Sequence, residues 1–181
     1  TATSRKEADR VNIVSGLFEG RATGTPLCGL IENRNVRSGD YEQLRTKMRP
    51  GHADYAGQIK YEGYNDPRGG GHFSGRLTAP LVFAGSIARQ MLAGKGIVIG
   101  AHIAAAAGIQ DDAFDPVGLT AEELLALQKS GFPLLDASKE APMRERIAQA
   151  RKAGDSVGGV IECAAVGVPA GVGSPFFGSV E

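Results

Sequence analysis

Two short runs hold most of the residues able to handle an anion or a proton. They are Arg49-Pro50-Gly51-His52-Ala53-Asp54-Tyr55 and Arg68-Gly69-Gly70-Gly71-His72-Phe73-Ser74-Gly75-Arg76. Three consecutive glycines let the backbone curl with its N–H groups turned inward, as in an anion-binding nest. Arg68 and Arg76 bracket that curl with planar, permanently charged forks suited to phosphate or carboxylate. Arg76 also comes just before a helix expected to start at Thr78, where free amides and the dipole favour an anion. His52 sits in a Pro-Gly-His turn flanked by Arg49 and Asp54, and an imidazole with an ordinary pKa of about 6.5 can supply a proton at neutral pH. The plainer alternatives are a solvated loop whose arginines pair with acids such as Glu62 and Asp66, and a loop histidine bonded to backbone.

His72, inside the glycine run, is either a ligand contact or a turn filler. His102 lies among apolar residues with no acid close in sequence, and it reads as structural. The three histidines lack H-x-x-x-H or His/carboxylate spacing, so no metal site is expected. Gly94-Lys95-Gly96 has no leading glycine and no Ser or Thr after the lysine, which rules out a P-loop. It follows a helical pattern rather than a strand, so it is not a dinucleotide turn either. Ser15 and Ser86 sit in no nucleophile elbow.

The surrounding elements are readable from periodicity. Val11, Ile13, Ser15 and Leu17 alternate as a half-buried strand, and 27–33 is a second. The connection between them is too short for a parallel crossover, so an antiparallel hairpin is predicted. A charged turn over 33–39 and a polar stretch over 41–47 follow. Residues 49–76 show neither period. Leu77, Leu81, Ala84, Ala88 and Met91 repeat at helical spacing after a Thr78 cap, with Pro80 in the first turn and Gly94 as the stop. Being the most apolar helix, it is expected in the core. Strands are predicted over 97–103 and 157–166. Thr120-Ala-Glu-Glu123 is a capping box opening a helix to Lys129, and a charged helix over 142–153 ends at Gly154. Hairpins mixed with long helices give an α+β fold, here taken as one domain over residues 1–181.

Composition narrows the function. The chain has 181 residues, with 20 Lys+Arg against 20 Asp+Glu, so no net field gathers a nucleic-acid backbone. The apolar run over 97–109 is too short to span a bilayer, and no signal peptide opens the chain. Two distant cysteines fit a reducing compartment. The 26 glycines are about twice the usual share and imply tight turns or close ligand approach. The chain starts at Thr1 in a polar stretch, which reads as a piece of something longer.

Taken in order, the motifs resemble those of the chorismate synthase family. The two central runs match its signatures. The likeness extends through Ser15-Gly16-Leu17-Phe18-Glu19-Gly20, Thr23-Gly24-Thr25-Pro26, Arg37-Ser38-x-Asp40-Tyr41, Gly154-Asp155-Ser156 and Gly167-Val168-Pro169-Ala170-Gly171-x-Gly173. The resemblance implies helices sandwiched with antiparallel β-sheets and a cytoplasmic homotetramer. It also implies an anti-1,4-elimination of phosphate from 5-enolpyruvylshikimate 3-phosphate to give chorismate. Reduced FMN is required without net redox change, in a flavoprotein context associated with NADP.

By position, the resemblance makes His52 the acid that keeps the reduced flavin correctly protonated. It makes Arg49, Gly75 and Arg76 substrate contacts. His72, Phe73 and Ser74 stand where the flavin-contacting triplet usually reads Arg-Ser-Ser, Gly75 stands for Ala, and Leu77 for Glu. The family's N-terminal Gly-Glu-Ser-His-Gly segment and its later Lys-Pro-Thr-Ser-Ser segment do not occur in this sequence. The chain alone is therefore expected not to turn over. The alternatives are a non-catalytic domain that binds a phosphate-bearing ligand or only self-associates, and an unrelated phosphate-binding protein.

Overall fold

A computed structural model describes residues 9–32, 46–66 and 73–173 of the chain. The charged turn over 33–39, the Arg37-to-Tyr41 motif and the glycine run with Arg68 and His72 lie outside the described residues. The chain divides into two compact units, Thr1–Ser86 and Ile87–Glu181. All the strand pairs described are antiparallel and alternate with helices, an α+β arrangement.

In the first unit β1 (Val11–Ser15) pairs with β4 (Cys28–Ile31). A smaller hairpin, β2 (Leu17–Phe18) with β3 (Arg21–Ala22), occupies what the sequence presented as a plain loop. Glu19 and Gly20 turn it with φ of 46° and 77°, the left-handed pair that suits a two-residue hairpin turn. Gly16, at φ 82°, leaves the first strand where a Cβ would stand 2.5 Å from the Cα of Leu27. Only glycine meets both demands.

Residues 54–60, which showed no period, form α1 (Asp54–Lys60). The helix ends in a Schellman turn, with Gly63 N–H bonded to the Gln58 carbonyl and Glu62 N–H to that of Ile59. α2 (Thr78–Ala93) follows a 3-10 turn over Gly75–Leu77. The cap is Ser74 rather than Thr78, whose hydroxyl instead donates to the Gly75 carbonyl. At the far end Gly96, at φ 75°, takes the left-handed position that the sequence reading gave to Gly94.

α2 is not a core helix. None of its residues is buried, and Leu81, Val82 and Met91 are 71%, 70% and 68% exposed. Phe83 lies over Gly29 of β4, where any Cβ would strike its ring. Among the described residues of this unit only Gly16 and Gly57 are buried, so the strand expected to be half-buried is exposed throughout.

The second unit has a core. β5 (Val98–Ala106) runs between β6 (Ile109–Gln110) and β7 (Gly159–Val166). α3 (Ala121–Gln128) carries both halves of the predicted capping box. Leu124 of α3 closes on Gly100, and Phe114, Leu124 and Leu127 pack with Val98, Leu119, Ala164 and Val166. The pleat explains the set, because Val98, Gly100 and His102 share a face with their partners Val166, Ala164 and Glu162. α4 (Glu140–Lys152) buries Met143 and ends with Gly154 at φ 71°. No helix among the described residues is long and apolar enough to cross a membrane.

Candidate functional site

The Arg49–Asp54 run is organised by the start of α1. Asp54 is the first residue of that helix, where a carboxylate suits the positive end of the dipole. Arg49 Nε donates to Asp54 Oδ2 and Nη2 to Oδ1, each at 2.9 Å, and the Arg49 backbone N–H adds a third bond at 3.0 Å. The pair is mostly sheltered, with side chains 28% and 12% exposed. The guanidinium hydrogen bonds pull the Asp54 pKa down to about 2 against the opposing effect of burial, and the nearby His52 adds to the lowering.

His52 is exposed, and its Nδ1 lies 3.3 Å from the Pro50 carbonyl. With Nδ1–H donating to that oxygen, Nε2 is the nitrogen left to exchange a proton. The backbone-bonded loop histidine and the proton-handling histidine are thus compatible readings of one geometry.

Of the second run, Phe73 to Arg76 are described. Phe73 lies across Gly57 of α1, where an added Cβ would stand 2.9 Å from Cε2, and its ring centroid is 6.2 Å from that of Tyr61. Asp54 and Gly57 are three apart on one helix and share a face. That face therefore joins the two signatures, gripping Arg49 through Asp54 and seating Phe73 on Gly57. Sequence reasoning missed this organiser, because seven residues containing a glycine give too little helical period to register.

Ser74 Oγ accepts the Arg76 backbone N–H at 3.2 Å. Arg76 Nη2 donates to Asp9 Oδ1 at 2.7 Å, in a pair exposed by 31% and 50%. No described residue lies within 4 Å of where a Cβ on Gly75 would stand, and its φ is not left-handed. A glycine there is demanded by neither backbone nor packing, and it leaves room for a ligand to approach the chain. The donors, the exchangeable imidazole and this opening fit a phosphorylated, carboxylated substrate, and the Phe73 ring and Ser74 hydroxyl fit a flavin.

In the second unit His102 is structural, as read, but not without acids. It is fully buried, but acids do face it: Nδ1 is 3.0 Å from Asp111 Oδ2 and Nε2 is 2.8 Å from Glu162 Oε2. Both nitrogens of the buried ring therefore have a carboxylate partner. Asp111 also accepts from the Leu135 and Asp136 backbone, at 2.7 and 3.0 Å, and Glu162 from the Phe114 N–H at 3.0 Å. Burial raises the Asp111 pKa, but these backbone bonds and His102 outweigh it and hold the group below the ordinary range. Glu162 is held low first by His102 and then by Phe114. Phe114 meets the imidazole edge-on at 4.5 Å. A lone glutamate on an otherwise apolar strand was the available signal. Among the described residues no cluster of His, Cys, Asp and Glu is placed to hold a metal.

Comparison with known proteins places these features. A family model described as chorismate synthase matches residues 1–181. The chorismate synthase of Thermococcus kodakarensis is 46% identical over 180 residues, covering 99% of this chain and 48% of that protein. That of Pyrococcus abyssi is also 46% identical over 180 residues, covering 99% and 49%. The chain spans about half the length of the curated relatives it matches. A crystal structure of chorismate synthase superposes with a TM-score of 0.69 at 27% identity, over 93% of this chain and 48% of that one.

Proposed function

This chain belongs to the chorismate synthase family, and on that premise we propose that it supplies the His52, Arg49 and Arg76 part of an active site converting 5-enolpyruvylshikimate 3-phosphate to chorismate. In that elimination the C–O bond to phosphate and a ring C–H bond break, and a ring double bond forms. Reduced FMN, when bound, supplies electron density that eases phosphate departure, with no net redox change. Residues 1–181 act as one part of the family's domain, in a cytoplasmic homotetramer.

The chain's own residues have distinct tasks in this reading. Arg49 and Arg76 neutralise substrate phosphate and carboxylate groups, and Gly75 lets the substrate lie against the backbone. His52 holds and moves a proton at Nε2 while Pro50 fixes the other nitrogen. Ser74 and Phe73 face the flavin, with His72 beside them in sequence. The observation that most supports the reading is the single face of α1, which ties the His52 turn to the end of the glycine run through Asp54 and Gly57.

The test is turnover with reduced flavin in the full-length protein. Loss of a general acid–base group costs about 10² or more in rate, so His52→Ala should fall at least that far. Activity within a few-fold of the native protein would overturn the assignment. Arg76→Ala should chiefly raise KM, and an unchanged substrate affinity would remove Arg76 from the contact set.

A further inference from the structure

Arg49 is bound on one whole edge. Asp54 takes Nε–H and one Nη2–H in a two-point grip and the Arg49 main-chain N–H as well, all from the first residue of α1. Two opposite consequences are conceivable. The carboxylate could cancel the arginine and make it a structural strut. Alternatively, it could fix the plane of the guanidinium so that an anion meets an oriented fork rather than a rotating one.

Coulomb energy falls as 1/r, so a ligand oxygen about 4 Å from the guanidinium and about 8 Å from the carboxylate keeps roughly half of its attraction. Cancellation is therefore incomplete. The second consequence adds to this, because an arginine loses less rotamer freedom on binding when its fork is already held. His52, two residues before Asp54, lies near enough for its charge to be felt by the same carboxylate. One acid thus touches the arginine directly and reaches the histidine through space.

We propose that Asp54 is a positioning residue for anion capture, holding Arg49 by its Nε/Nη2 edge so that α1 sets the direction in which the guanidinium meets the substrate. The proposal rests on the assignment of Arg49 as a substrate contact. It adds that the contact depends on a carboxylate that itself touches no substrate.

Calorimetric titration of the full-length protein with 5-enolpyruvylshikimate 3-phosphate, in the presence of FMN, tests this through the sign of the effect. Asp54→Asn keeps the side-chain shape and removes the charge. Positioning requires affinity to fall about tenfold, whereas cancellation requires it to rise because a repulsive charge is gone; a rise or no change overturns the proposal. Asp54→Glu keeps the charge but displaces the grip, and affinity should fall by about threefold. Native affinity in that variant also overturns the proposal, including where Asp54→Asn does not fold. Melting curves of each variant separate this from a general loss of structure, since weakened binding by a fully folded protein is what a strut would not produce. The native chain and Arg49→Ala tell the two readings apart. If Arg49→Ala binds normally, the substrate-contact assignment falls and this proposal with it. If Arg49→Ala loses binding while Asp54→Asn does not, only the positioning role falls.

Discussion

Removing the Asp111 carboxylate should loosen the second unit far more than its place in a loop suggests. Asp111→Ala removes the carboxylate that meets His102 Nδ1 and accepts from the backbone N–H groups of Leu135 and Asp136. The histidine has nowhere else to turn, because both it and the Asp111 side chain are 0% exposed. A hydrogen bond to a charged partner contributes about 1.5–3 kcal/mol. The two backbone donors belong to partly exposed residues that can recruit water, so each adds about 0.5–1.5 kcal/mol. Together these give about 2.5–6 kcal/mol, a large share of the roughly 5–15 kcal/mol that holds an ordinary domain folded. With a urea m-value of about 1–3 kcal/mol/M, the midpoint followed by far-UV circular dichroism should fall by at least about 0.8 M. Amide exchange at Leu135 and Asp136 should quicken by about 10²–10⁴-fold. Asp111→Asn, which keeps one acceptor oxygen, should fall between native and alanine. A midpoint within about 0.3 M of native, together with unchanged exchange at those two amides, would refute the idea that Asp111 ties the 133–136 segment to β5 through His102.

Two further outcomes follow from the same geometry. Asp54, Asp111 and Glu162 are all held below their ordinary pKa values, Asp54 at about 2. Their stabilisation is present above the unfolded carboxyl range near ~4 and lost as pH falls through the folded values, so the melting temperature should decline below about pH 4. An equal melting temperature at pH 7 and pH 2.5 would contradict this. Among the hairpin glycines, Gly16→Ala meets both a left-handed φ and a 2.5 Å approach to Leu27, whereas Gly20→Ala meets only the left-handed φ. The second should cost about 1–2 kcal/mol by urea unfolding and the first clearly more; equal losses would show that the Leu27 contact relaxes freely.

What the sequence made legible was set by the range of the interactions involved. The β1–β4 hairpin, the capping box of α3 and the Gly154 stop rest on residues a few positions apart, and each occurs where predicted. The burial of α2 was misjudged because an apolar period records what a helix could cover, not what covers it. Here one ring is seated over Gly29 and Ile87 and Leu92 are half-buried, while Leu81, Val82 and Met91 stay exposed. His102 was rightly read as structural, but its partners were missed for the opposite reason. Its two acids are 9 and 60 positions away, and only the pairing of β5 with β7 sets Glu162 opposite it. In the candidate site His52, Arg49 and Arg76 were visible by residue type, but their supports were not. Asp54 was noted only as a neighbour, and Asp9 is 67 positions from the arginine it holds.

The Phe73–Gly57 contact explains why the departure from the usual Arg-Ser-Ser triplet need not disable the site. An arginine or serine at the second run would have to be held by polar partners, whereas an aromatic ring can be held by contact area alone. That requires a flat seat, and Gly57 provides one in the middle of a helix, where glycine otherwise costs about 1 kcal/mol relative to alanine. The cost is intelligible only if the bare backbone is used, and the ring of Phe73 comes within 2.9 Å of where the missing Cβ would stand. The two unusual residues therefore form one device. Its effect is to fix the start of the Ser74–Arg76 turn on the same helix that fixes Arg49, so the two cationic arms share one support.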